Sequence, residues 1–320
     1  MRMGILPAVL VLGLAAASIA GAQAPLKVTM TGTVVDVYEG DSPVLQYKYR
    51  DVPFKPYALS WCTPKGVNVL RDSPDDHKHH HALMHAITLG DVNFWEEIPG
   101  CGTQAHRAFS NVLVGPKQAG FTEALAWLGP KDKRHPMLLE QRTLTHHATG
   151  GATARLLTWQ SVLRAPKEGG SVTLAGKIYH GLGMRFPVFM DKVGAFHFAK
   201  DETGAFDDGP HHLAQASWCA YTVPDGEHPV TVAMFSAKEN PRPTLWFTML
   251  EPFSYLAGTL DLSRNPITLE AGKTLTAKYG LAAWDGVVDD AAVQALYEQW
   301  LNLGTMKEKK HPRKVKEHAS

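Results

Sequence analysis

Short runs of β-branched and aromatic residues, each closed by turn residues, recur along this chain and constrain its fold more than any other feature. Residues 27–37 alternate Val28, Met30, Thr31, Thr33, Val34 and Val35 with small or polar residues. A turn over Gly40-Asp41-Ser42-Pro43 leads to a second run at 44–49. The same rhythm returns at 109–114, 138–147, 155–163, 172–179, 216–223, 230–235, 244–249, 255–260 and 275–283. Period-two alternation between turn signals such as Lys167-Glu168-Gly169-Gly170 and Pro224-Asp225-Gly226 reads as strand. Roughly twelve strands with no helices between them exclude a parallel α/β sheet and predict an all-β, large antiparallel β-sandwich. One helix is expected at the C-terminal end. Asp289 and Asp290 begin it, Val293, Leu296, Tyr297, Trp300 and Leu301 share a face, and Gly304 ends it.

The two ends read differently from this body. Arg2, an apolar run from Ile5 to Ala20 and the small-x-small site Ala20-Gly21-Ala22 predict an export signal over residues 1–22. A single β-sandwich domain is expected over 23–304, and residues 305–320 form a basic, apolar-poor tail expected to be disordered. No later run reaches the roughly 18–20 apolar residues of a membrane helix, so a periplasmic or secreted protein with no membrane span after signal cleavage is expected. A net charge of +1 offers no field for nucleic acid or an anionic membrane. Cys62, Cys101 and Cys219 fit no zinc spacing. Either one disulfide forms, with Cys62–Cys101 the first candidate because the two flank the histidine segment, or all three are buried thiols.

Chemistry concentrates in Asp75-Asp76-His77-Lys78-His79-His80-His81-Ala82-Leu83-Met84-His85, which holds five of the sixteen histidines. Imidazole moves protons near neutral pH and is the commonest metal ligand, so such a density marks a site. If extended, the run sends His77, His79 and His81 to one face. If helical, it groups His77, His80 and His81. A solvated polar turn opening a strand is the alternative, because Ser73-Pro74-Asp75-Asp76 is turn chemistry. Gly181-Leu182-Gly183-Met184-Arg185 has the wrong spacing for a nucleotide loop and reads as a bulge or tight bend placing Arg185.

Several segments together resemble the PmoA-like family of exported bacterial proteins. They are Phe54-Lys55-Pro56-Tyr57, Asp76-His77-Lys78-His79-His80, Asp91-Val92-Asn93-Phe94-Trp95, Ala216-Ser217-Trp218-Cys219-Ala220-Tyr221 and Glu239-Asn240-Pro241-Arg242-Pro243. Lys78, His81 and Ala82 depart from that family's proline, arginine and glycine. The family label points to a methane monooxygenase subunit, which would live in the bilayer, and nothing after the signal could cross it. The resemblance instead implies a sandwich of the galactose-mutarotase type, in proteins associated with sugar breakdown.

A sugar presents apolar C–H faces edged with hydroxyls, so its site combines aromatic platforms with imidazoles, amides and charged groups. Trp95, Arg185, Trp218, Asn240, Arg242 and Trp246 are the candidate substrate-binding residues, with Trp61 a further tryptophan beside the motifs. His79 and His80 are the candidate acid/base pair, with Glu140 or Asp76 as carboxylate partner. Glu140 and Arg142, two apart on one strand, face the same way and form either a ligand-facing pair or a solvated one. His146-His147 and His211-His212 are secondary clusters. The leading expectation is an exported glycoside hydrolase, lyase or epimerase acting on a small-molecule or oligosaccharide substrate without a cofactor. The alternatives are a divalent-metal enzyme with His77, His79 and Asp76 as ligands, and a non-catalytic sugar-binding module.

Overall fold

The computed structural model describes residues 24–149 and 154–303. The leader expected at 1–22 and the tail expected at 305–320 lie outside them. Three antiparallel sheets carry the chain. The largest has ten strands in the order Leu26–Met30, Val34–Glu39, Ser42–Lys48, Tyr57–Trp61, Leu83–Ala86, Gly181–Arg185, Tyr255–Thr259, Leu245–Met249, His211–Gln215 and Thr203–Asp208. An eight-stranded sheet runs Ala195–Phe198, Trp218–Val223, Val230–Ser236, Thr274–Asp285, Ala154–Arg164, Leu138–His147, Gln118–Leu128 and Thr103–Val114. A small third sheet runs Ile267–Leu269, Val172–Ala175, Thr88–Leu89 and Val92–Asn93.

The two large sheets face each other across one hydrophobic cluster. Tyr47 of the larger sheet packs on Phe121 and Trp159 of the smaller, and Trp246 packs on Tyr279. The helix Asp290–Leu301 is capped by Asp289, whose side chain accepts from the Ala292 N–H. Its Trp300 lies over Gly280, where a Cβ would come within 2.7 Å of the indole. Among the described residues no helix is long and apolar enough to cross a membrane.

Local sequence and structure part company at several places. Residues 27–37 are two strands, because Thr31 Oγ1 accepts from the N–H groups of Thr33 and Val34 and turns the chain there. Gln118–Leu128 was not expected as a strand, yet it pairs along both edges, and that pairing overrides the helix propensity of its Ala, Glu and Leu residues. Gly181–Arg185 is a regular central strand rather than a bulge. Its glycines are there for close approach: a Cβ on Gly181 would strike the Gly258 carbonyl at 2.3 Å, and one on Gly183 the Tyr255 hydroxyl at 1.9 Å. The Cys62–Cys101 bridge does not form, and all three cysteines are buried thiols.

Glu140 and Arg142 occupy the middle of the sandwich. Their shared face is the inward one, and both side chains are fully buried. Arg142 donates to Glu140, to Gln104 Oε1, to the Tyr47 hydroxyl and to the Pro56 carbonyl across the sheets. Glu140 also accepts from Trp127 Nε1 and Ser161 Oγ. Burial alone would raise the Glu140 pKa, but the Arg142 guanidinium outweighs it and holds the acid ionised. This saturated pair welds the two sheets together and is neither solvated nor open to a ligand, which corrects the assignment of Glu140 as a catalytic carboxylate.

Candidate active site

The histidine run is neither strand nor helix. Two consecutive turns form, closed by His77 N–H to the Pro74 carbonyl and His80 N–H to the His77 carbonyl, and the loop is tied at its base by Ser73 N–H to the His80 carbonyl. This winding stacks His77 on His80 with ring centroids 4.6 Å apart and sets His79 edge-on to His80 at 4.6 Å. A second loop faces it. There Asn93 Oδ1 accepts from the N–H groups of Trp95 and Glu96, fixing both residues.

Between these loops and the strands Tyr255–Thr259, Leu245–Met249 and His211–Gln215 lies a hollow of about 230 Å³. His77, His79, His80 and His211 bring four imidazoles to it, and Glu96 brings a carboxylate. Trp95, Tyr179, Phe247, Phe253 and Tyr255 supply most of its apolar wall. His79 Nε2 lies 3.3 Å from Glu96 Oε2. The buried Tyr255 hydroxyl, Trp95 Nε1, His80 Nδ1 and His211 Nδ1 have no protein partner. Buried polar atoms are rarely left so, and these four belong to residues that line the hollow.

The imidazoles differ electrostatically. Burial, reinforced by neighbouring His79, His77 and Arg185, pushes His80 down to about 2, so its ring is neutral and offers one donor and one acceptor. Burial also lowers His79, against the opposing pull of Glu96. His81 is turned away from the hollow. Its Nδ1 lies 2.7 Å from Asp72 and its Nε2 3.0 Å from Glu97. Burial works against its cation, but those hydrogen bonds prevail and its pKa is raised.

Of the residues expected at a site, His77, His79, His80 and Trp95 meet at this hollow. Arg185 stands behind its wall with the guanidinium 3.3 Å from the Phe253 ring centre, near Asp76 and Asp191. Glu140 is in the core, as described above. Trp246 points away because it neighbours Phe247 on one strand, where alternate residues face opposite sides, and its Nε1 donates to the Ala216 carbonyl. Trp218 is buried beside the helix, with its Nε1 donating to Gln294. Asn240 pairs with the backbone of Lys278, and Arg242 donates to the carbonyls of Leu260 and Asn265. Both therefore pin a turn at some remove from the hollow. Trp61 is also fully buried. Asp76 faces His77 and Arg185, and among the described residues no group of three His, Cys, Asp or Glu side chains converges as a metal site, so the Asp76–His77–His79 ligand set of the alternative reading is not assembled.

Sequence reasoning missed Glu96, Tyr179, Phe247, Met249, Phe253 and Tyr255. Glu96 alone carried a local signal, as the acid next to a candidate tryptophan.

The sequence matches, over residues 34–298, a family described as a family of unknown function, DUF6807. The chain belongs to that family. This overturns the PmoA-like resemblance, which rested on short separate motifs with departures at Lys78, His81 and Ala82 inside the central one. No protein of curated function matches the sequence. Among solved structures, the GH36 alpha-galactosidase AgaB from Geobacillus stearothermophilus is similar, with 8% identity, coverage of 81% of this chain and 41% of that chain, and a TM-score of 0.52. This chain thus spans about two fifths of that enzyme's length. A galactose mutarotase related enzyme from Lactobacillus acidophilus aligns with 83% of this chain and 98% of its own at 8% identity and a TM-score of 0.40. At such identity the likeness to the alpha-galactosidase is one of fold.

Proposed function

We propose that this protein is a carbohydrate-processing enzyme that binds a single sugar ring in the hollow and moves a proton on it, with His79 as acid/base and Glu96 as its partner. The observation that carries this reading is the convergence of four imidazoles, one carboxylate and five aromatic rings on one small cavity. At about 230 Å³ it lies below the ~300–1,000 Å³ typical of drug-sized ligand sites, a scale that suits one ring. Aromatic faces match the C–H faces of a pyranose, and the imidazoles and the Glu96 carboxylate that line the hollow match its hydroxyls.

His79 Nε2 faces Glu96, which leaves Nδ1 as the nitrogen this mechanism assigns to the substrate. The neutral ring takes a proton there, Glu96 stabilises the imidazolium formed, and the proton returns at another position or leaves with the departing group. His80 stays neutral and orients a hydroxyl. Hydrolysis with two carboxyls astride the bond fits less well, since Glu96 is the one carboxylate lining the cavity among the described residues. Isomerisation or elimination is therefore favoured. An exported setting belongs to the same proposal, and fractionation of cells expressing the full chain tests it.

The decisive experiment incubates the protein with a panel of mono- and oligosaccharides in D₂O, with and without chelator, and follows products by NMR and mass. Solvent deuterium in the product, or a mass lower by one water, is the expected result, with turnover abolished in His79→Asn and Glu96→Gln while sugar still binds to His79→Asn. A product heavier by one water, or unchanged turnover in His79→Asn, overturns the mechanism. Binding without turnover in the wild-type protein would make it a sugar-binding module.

A further inference from the structure

His81 directly follows the turn that carries His79 and His80 but takes no part in lining the hollow. Both of its ring nitrogens face carboxylates, Nδ1 toward Asp72 at 2.7 Å and Nε2 toward Glu97 at 3.0 Å. A neutral imidazole has one donor nitrogen and one acceptor nitrogen. It would turn a lone pair on one of these acids, whereas an imidazolium donates to both. The other groups around it agree. Tyr57 stacks on the ring with centroids 4.4 Å apart, and its hydroxyl donates to Asp72 Oδ2. Lys55, almost wholly buried, donates to Glu97 and to the Trp95 carbonyl. Two carboxylates are thus balanced by two cations only if His81 is charged.

This network ends on the segment that carries the active-site acid. Glu97 is held by His81 and Lys55, the Trp95 carbonyl by Lys55, and the N–H groups of Trp95 and Glu96 by Asn93. Glu96 therefore lies between two anchored neighbours, its carboxylate turned to His79. We infer that His81 is a positioning residue, a charged clamp that fastens the histidine loop to the 95–97 segment and so fixes Glu96 against His79. The catalytic consequence rests on the function proposed above, but the clamp itself is testable without substrate.

In the wild-type protein, ¹⁵N spectra at pH 7 should show both His81 ring nitrogens protonated. A single protonated nitrogen overturns the inference, and this measurement needs no variant to fold. In His81→Gln, which keeps hydrogen-bonding capacity without charge, amide exchange at residues 95–97 should be about tenfold faster while the central strands keep their protection. His81→Lys, which returns a cation with several donors, should restore slow exchange. Wild-type exchange in His81→Gln, or no recovery in His81→Lys, overturns it as well. If exchange follows the expected pattern but no sugar is ever turned over, the clamp stands and the enzymatic reading falls.

Discussion

Lowering the pH from 7.5 to 5 should destabilise this protein far more than a typical β-sandwich, because four buried imidazoles stay neutral in the fold. His80 is pushed down to about 2, His180 to about 3, and His85 and His147 to about 4, in each case chiefly by burial. Each is at most 7% exposed. The folded values lie below the ordinary 6.5, so the unfolded chain takes up protons that the fold refuses. Stability is therefore full above pH 6.5 and falls as the pH drops toward the folded values. At pH 5 each group costs about 2 kcal/mol, at about 1.4 kcal/mol per pH unit. Four such groups remove about 8 kcal/mol, much of the ~5–15 kcal/mol by which a domain is stable. His79, also lowered by burial, acts in the same direction. His81 acts in the opposite sense: its raised value gives stability that is complete below 6.5 and lost at higher pH, so near pH 5 it adds nothing to the slope.

Urea unfolding at half-unit steps between pH 7.5 and 5 measures this directly. Near pH 5 the slope should approach about 5 kcal/mol per pH unit, equivalent to about four protons bound on unfolding. His147→Gln, remote from the hollow and hydrogen-bonded to Thr158, should reduce the uptake by about one proton. A slope below about 1.4 kcal/mol per pH unit, one proton's worth, would refute the claim that these rings are buried and neutral.

Arg142→Met leaves Glu140 buried without its cation and should cost about 3–5 kcal/mol in urea unfolding, with part recovered when Glu140→Gln is added. Gly183→Ala sets a Cβ against the Tyr255 hydroxyl and should cost about 1–3 kcal/mol while weakening sugar binding in calorimetry, since Tyr255 lines the hollow. With His79 as the base, kcat should be flat at pH 7 and above and fall on acidification along a limb whose midpoint lies below 6.5, because burial lowers its pKa. Glu96→Gln, which removes the opposing charge, should move that midpoint lower still.

Much of the fold was legible because strand alternation is a local property. Residues 138–147 carry their two-residue period openly and form the strand Leu138–His147. The helix announced its own start through Asp289 and its buried face through Val293, Leu296, Tyr297 and Trp300. Gln118–Leu128 was hidden because its alanine, glutamate and leucine content carries helix propensity, and neighbouring strands decided otherwise. At the site, the density of histidines marked where chemistry gathers, but not which ring does what. His80 and His81 are adjacent and almost equally buried. One is held neutral among other imidazoles and the other held charged between carboxylates that lie 9 and 16 residues away in the chain.

The sequence by itself determined the antiparallel all-β plan, the C-terminal helix and the place along the chain where imidazoles cluster, since each follows from the periodicity or composition of neighbouring residues. Only the tertiary structure decided that Glu140 belongs to the core and Glu96 to the cavity, that Trp246 turns inward while Phe247 turns to the hollow, and that strands from distant parts of the chain build its wall. Those outcomes depend on which groups are removed from water together, and burial is a property of the assembled sheets, not of any stretch of residues read alone.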